Sequence, residues 1–190
     1  SKENIFLLVV PLTLIQNWIK EINKFSNLKF HIHHGEKRLK KYDPGDYINS
    51  NIDIVLTTYE TVIKDKLLLE NIPWKIILMD EAHKVKNKNT KRYKALEALP
   101  RDSTIAITGT PFHNSISDIW GISNHIIKNF FGNYERFPDD YSEEQIKKKL
   151  KSIMMMRTVK QVKIDLPAKI EDDLPINMSS KELIILEELL

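Results

Sequence analysis

The sequence predicts an α/β fold with a central, mostly parallel sheet flanked by helices. Two observations carry that prediction. Apolar runs of strand length recur along the chain: IFLLVV at 5–10, IDIVL at 52–56 and WKIILM at 74–79. Segments with helical spacing of apolar residues alternate with those runs, as they do in βαβ units. The chain of 190 residues is 42% hydrophobic, enough for one sizeable core or one domain and part of another.

Ile5 to Val10 is unbroken and β-branched at three of its six positions, as expected of a strand buried on both faces. Pro11 opens the next helix, where its absent N–H costs nothing. Leu12, Ile15, Trp18, Ile19, Ile22 and Phe25 fall on one face of that helix, and Trp18 reads as a core aromatic. A second strand is expected over 28–33, then a polar loop with room for a short helix over 36–51. The strand at 52–56 leads into Thr57 and Thr58 and a helix to about Leu69. A strand at 74–79, a helix at 90–99, a strand at 103–107 and a helix at 115–131 complete the alternation. After Gly132 the pattern changes to an acidic and then strongly basic stretch, a proline-bearing linker over 164–175 and a capped helix from Ser179 to the last residue.

Composition excludes some functions. The sequence has no cysteine, so disulfides and thiolate metal sites are out. No apolar run approaches the roughly 20 residues that span a bilayer. The net charge of +3 permits nucleic-acid binding without arguing for it. His31, His33 and His34 read as a strand end and turn and not as a metal cluster, because no well-spaced acid accompanies them.

Asp80 and Glu81 stand at the carboxyl end of an apolar strand, where ligands meet a parallel sheet. As a bare dipeptide they read first as acids complementing a helix N-terminus. A second use is available to such a pair: one carboxylate holds a hydrated Mg²⁺ and the other orients a water. Lys84, Lys86, Lys88, Lys91, Arg92 and Lys94 then place six bases in eleven residues with no acid, either a phosphate-facing surface or a solvated helix face.

The wider constellation is more specific. In order the chain reads LLVVPLTLIQNWIKEINKF, HHG, IVLTTYE, IILMDEAHKVKN, AITGTPFHNSISDIW and MMMRTVKQVKIDLPAK. That series, over about residues 5 to 178, resembles the first ATPase lobe of the Swi/Snf family, within the superfamily 2 helicase-like motors. The resemblance implies a RecA-like lobe that uses ATP and Mg²⁺ and grips double-stranded DNA, possessed of a second ATPase lobe in the same chain. It implies Walker B roles for Asp80, through water to Mg²⁺, and for Glu81 on the attacking water, with His83 linking the DEAH-type box to its neighbours. Thr108, Gly109 and Thr110 match the motif that couples ATP state to DNA grip. Pro11, Leu12, Thr57 and Thr58 match DNA-facing positions, and Arg157 matches the arginine near the crossing into the second lobe. Arg157, with Lys84, Lys86 and Lys88 of the basic run beside the ATP motif, is expected to face DNA. The three methionines before Arg157 and the Phe112–His113 pair depart from the family's usual residues.

The resemblance also implies an organisation: residues 1–132 as the ATP-binding lobe from after the phosphate loop, 133–178 as its extension and linker, and 179–190 as the start of the second lobe. No stretch reads G-x-x-x-x-G-K-[ST], and none of the five glycines opens a phosphate cradle. The sequence therefore reads as an internal part of a longer motor, inactive alone, acting on chromatin or other protein–DNA complexes or in DNA repair, in a nucleus or a bacterial cytoplasm. The rivals are a strand-separating helicase of the same superfamily and a nucleic-acid-binding module without ATPase activity.

Overall fold

The computed structural model describes residues 4–36, 38, 44–109 and 116–157. The chain divides into two compact units, Ser1–Ile146 and Lys147–Leu190. In the first, strands β1 (Phe6–Val10), β2 (Phe30–His33), β3 (Ile54–Thr58), β4 (Trp74–Asp80) and β5 (Arg101–Ile107) pair in the order β2-β3-β1-β4-β5. Every pairing is parallel. The helices are α1 (Ile15–Phe25), α2 (Pro44–Asn49), α3 (Tyr59–Lys64), α4 (Lys66–Leu69), α5 (Lys91–Glu97), α6 (Ile116–Ile126), α7 (Phe137–Asp140) and α8 (Glu143–Leu150).

Side-chain alternation splits the sheet into two packed faces. Leu7, Val9, Val55, Ile77 and Met79 meet Val62, Leu69, Leu96 and Ile122 from the helices on one face. Leu8, Val10 and Leu56 meet Ile15 and Ile22 of α1 on the other, with Trp18, Ile19 and Leu78 packed alongside. The central strand β1 is buried on both sides, which is why its run is continuously apolar. The cover from α1 does not reach β5, where Ile105 and Ile107 are 45% and 42% exposed.

Several boundaries differ from the sequence expectation, each for a local reason. Pro11 begins a single 3-10 turn, Leu12–Leu14, and α1 follows it. The tighter turn rotates Leu12 off the helical stripe, and Leu12 is exposed. β3 runs on through Thr57 and Thr58, which pair with Val9 and Val10. The helix expected to reach Leu69 breaks at Asp65, whose backbone leaves the helical region. α6 ends at Ile126 because Asn129 turns left-handed (φ 59°) and its N–H donates to Asn124 Oδ1 at 2.9 Å. Thr90 caps α5 by accepting from the Tyr93 N–H, and the Arg101 guanidinium donates to the Leu96 and Leu99 carbonyls at its end. Trp74 and Trp120 are buried, and each indole donates to a backbone carbonyl, of Leu69 and Gly132 respectively. The expected linker at 164–175 and helix at 179–190 lie outside the described residues.

A buried polar cluster explains the break at Asp65. His33 at the end of β2 lies 2.9 Å from Asp65 Oδ2 through Nε2 and 2.8 Å from Tyr47 Oη through Nδ1. An ionised carboxylate only accepts, so Nε2 carries the proton and Nδ1 accepts from the tyrosine. Arg38 forks onto the same carboxylate and donates to the Gly35 carbonyl, where the chain turns at φ 85°. Burial pushes the His33 imidazole below its ordinary pKa, against the Asp65 bond that favours its charged form. Burial pushes the Asp65 carboxyl up, but the Arg38 and His33 bonds outweigh it and hold it below the usual carboxylate range.

Two predictions come from this packing. A Cβ built on Gly121 of α6 would lie 1.8 Å from the Lys86 carbonyl oxygen, so Gly121 lets the helix touch the segment after β4. Gly121→Ala should cost about 1–3 kcal/mol of stability, read by denaturant unfolding. His33 and Asp65 both bind fewer protons folded than unfolded. Stability should therefore be full at neutral pH and fall below about pH 6.5 through His33 and through His125, whose imidazole burial pushes down to about 3, then further below about pH 3.9 through Asp65. His33→Gln should lessen the first part of that decline, and leave the share of His125, in unfolding measured over a pH series.

Candidate nucleotide and nucleic-acid site

The parallel register brings the carboxyl ends of β1, β3, β4 and β5 to one edge of the sheet. β4 extends one residue past its apolar run, so that Asp80 pairs with Ile107. By alternation Asp80 shares the face of Leu78, the face that α1 covers. There its carboxylate takes two hydrogen bonds. Trp18 Nε1–H donates to Oδ2 at 2.8 Å, and the Glu81 N–H donates to Oδ1 at 2.9 Å. The Asp80 carbonyl accepts from the Tyr59 hydroxyl at 2.6 Å. Burial, then the Asp80 and Glu81 charges, push that phenol far above its ordinary pKa, so it stays a donor.

Glu81 follows in the left-handed region at φ 52°, ψ 49°. A side chain with a Cβ is strained there, and such strain gathers at functional sites. The turn swings the Glu81 side chain out of line with the strand and leaves it 39% exposed. His83 Nδ1 lies 3.1 Å from Glu81 Oε2, close enough for an ion pair without the alignment of a hydrogen bond. Asp80, Glu81 and His83 are thus gathered within one turn.

The neighbouring candidates fall out differently. Pro11 and the exposed Leu12 leave the end of β1 directly into the turn that starts α1. Thr57 and Thr58 are buried, and their hydroxyls are engaged within the fold. Thr57 Oγ1 donates to the His33 carbonyl at 2.8 Å, and Thr58 Oγ1 accepts from the Thr61 N–H at 3.2 Å. Thr108 and Gly109 continue past β5 on the same edge, Gly109 exposed; Thr110 lies outside the described residues. Arg157 is exposed in the second unit.

The basic run has no acid of its own, yet the fold supplies several. Lys86 pairs with Asp118 of α6 at 2.7 Å. Lys88 pairs with Glu135 and lies 3.9 Å above the Tyr134 ring centre. Arg92 pairs with Glu60 at 2.8 Å; burial raises the Glu60 carboxyl, while a hydrogen bond from its own backbone N–H, then Arg92 and Lys84, bring it down to a net lowering. Lys84 stands next to His83 with its side chain half-buried.

Sequence reasoning missed Trp18 as a neighbour of Asp80 and read it as a core aromatic. Helical spacing marks which residues face the sheet; it does not say where an indole N–H ends. The signal available was positional: a tryptophan one turn into the helix after β1, within reach of the carboxyl edge.

The residues fit a hydrated divalent cation. Two adjacent carboxylates offer hard oxygen ligands, and the two bonds to Asp80 leave lone pairs on both oxygens. Among the described residues no group of three acids or histidines forms a metal cage. The backbone strain at Glu81 is testable by itself: Glu81→Gly should be more stable than Glu81→Ala by about 1–2 kcal/mol in denaturant unfolding.

The profile of the SNF2-related domain family matches residues 1–188. Human Chromodomain-helicase-DNA-binding protein 1 is 32% identical over 199 aligned residues, covering 92% of this chain and 11% of the relative. The ISWI chromatin-remodeling complex ATPase ISW1 of Saccharomyces cerevisiae is 28% identical, covering 93% of this chain and 17% of that protein. The chain therefore spans a small share of the relatives it matches. Among solved structures, the Sulfolobus solfataricus SWI2/SNF2 ATPase core in complex with dsDNA superimposes with a TM-score of 0.71 at 28% identity, over 97% of this chain and 41% of that one. The family match, the relatives and the superposition agree with the parallel five-stranded sheet: the chain belongs to the SNF2-related domain family and has the RecA-like fold of the SWI2/SNF2 ATPase core.

Proposed function

We propose that these residues serve an ATP-dependent, DNA-stimulated translocase that moves on double-stranded DNA and remodels chromatin or other protein–DNA complexes. The observation that carries this reading is the Asp80–Glu81 pair, one carboxylate fixed by two hydrogen bonds and the next swung out by a left-handed turn. Asp80 would hold a hydrated Mg²⁺, which when bound neutralises phosphate oxygens of ATP. Glu81, exposed and aimed away from the strand, orients and polarises the attacking water. His83 beside it steadies that carboxylate. The relatives' names speak of helicases and chromatin-remodeling ATPases, and the neighbour structure holds dsDNA. Those names support ATP as nucleotide, duplex DNA and nucleosomes as partners, and the nucleus as the place of action in a eukaryote.

The phosphate cradle and a second lobe are supplied, on this reading, by further residues of the same protein. With no G-x-x-x-x-G-K-[ST] stretch, the 190 residues by themselves should not turn over ATP. The exposed turn at Pro11–Leu12 and the segment at Thr108–Gly109 present backbone to a phosphate chain on the same edge. Of the three lysines near the acid pair, Lys84 is the best placed to meet DNA, because Lys86 and Lys88 already hold Asp118 and Glu135.

The test is ATP hydrolysis by the full-length protein with and without duplex DNA. Wild type should be stimulated by DNA, and Glu81→Gln should lose about a hundredfold or more of the rate while DNA binding survives. No DNA-stimulated hydrolysis in the wild type would sink the motor reading and favour a binding module. Lys84→Ala should weaken DNA binding uniformly across sequences and lower the slope of log affinity against log salt by about one.

A further inference from the structure

The three tryptophans of the chain use their indole N–H groups differently. Trp74 donates to the Leu69 carbonyl and Trp120 to the Gly132 carbonyl, each at 3.0 Å. Those are the ordinary partners of a packed tryptophan, which needs one acceptor and takes a backbone oxygen nearby. Trp18 instead donates to a side-chain carboxylate 62 residues away, Asp80 Oδ2, at 2.8 Å. Its ring packs with Ile19 against Leu8, Val10 and Ile22, so the direction of the N–H is set by the sheet. The other Asp80 oxygen is held by the Glu81 N–H. Two donors, one on each oxygen, fix the plane of the carboxylate.

We propose that Trp18 is a positioning residue for Asp80, holding that carboxylate in the orientation in which it meets the cation, and that it ties the carboxylate to the turn at Pro11–Leu14 on which α1 begins. The proposal rests on the reading of Asp80 as the Mg²⁺-holding acid. An indole N–H donates and cannot accept, so it favours the ionised carboxylate and leaves a lone pair on the same oxygen for a metal-bound water. Outer partners of this kind govern how well a ligand presents itself to its ion. The attachment also has a direction in the fold. α1 follows the 3-10 turn with no intervening loop, so a shift of that turn carries Trp18 with it.

The experiment is Mn²⁺ binding to the full-length protein with ATP, followed by electron paramagnetic resonance, for wild type and Trp18→Phe, with folding checked by thermal unfolding. Phenylalanine keeps an aromatic ring in the packing and removes the donor. Trp18→Phe should bind Mn²⁺ about tenfold more weakly. Should that variant not fold, β-(3-benzothienyl)alanine introduced at position 18 replaces the N–H by sulfur in the same shape and should show the same loss. Wild-type Mn²⁺ affinity in a folded variant would overturn the positioning role and leave the proposed function standing. A wild type that binds no Mn²⁺ with ATP would overturn both.

Discussion

The hydrogen bond from Trp18 to Asp80 joins the helix that covers one face of the sheet to the strand end where the acids stand. A carboxylate at the end of an apolar strand is costly unless donors meet it. β4 meets that cost from two sides, with the next residue's own N–H and with an indole from α1. Because the pairing of β4 with β1 and β5 is parallel and in fixed register, a one-residue slip would turn Asp80 to the opposite face, toward the helices beyond Met79. The sheet register, the seat of α1 and the direction of Asp80 are therefore one constraint.

The strain at Glu81 belongs to the same constraint. A right-handed residue there would send the chain after Glu81 in another direction, away from the turn that sets His83 beside the Glu81 carboxylate. The chain keeps a glutamate where glycine would be easiest, in keeping with the role proposed for that side chain. Around this point the fold trades basic charge for rigidity. Lys86 and Lys88 fasten α6 and the loop at 133–136 to the turn after β4, with Gly121 allowing the close approach and Tyr134 receiving the Lys88 ammonium on its face.

Much of the fold was legible in the sequence because parallel strands buried on both faces announce themselves as unbroken apolar runs. β1 and β4 were placed within one residue for that reason. β3 was set two residues early, since Thr57 and Thr58 are polar by type while their hydroxyls find partners inside. The break between α3 and α4 was hidden because its cause, the His33–Asp65–Arg38 cluster, joins residues far apart in sequence. Asp80, Glu81 and His83 were legible as a motif, and their gathering into one turn follows from adjacency. The ion pairs of the lysine run were not legible, because the acids that answer Lys86, Lys88 and Arg92 come from other elements. Trp18 was visible as an apolar residue and hidden as a donor.

The exposed isoleucines of β5 bear on how the chain behaves in solution. β5 is the last strand of the sheet among the described residues, and Ile105 and Ile107 present apolar surface on the face that α1 leaves uncovered. A strand in that position offers its outer backbone groups as a template, and two β-branched side chains make the template adhesive. Handled as 190 residues alone, the chain should self-associate as its concentration rises, and a single charged residue in place of Ile105 would act as a gatekeeper against that association.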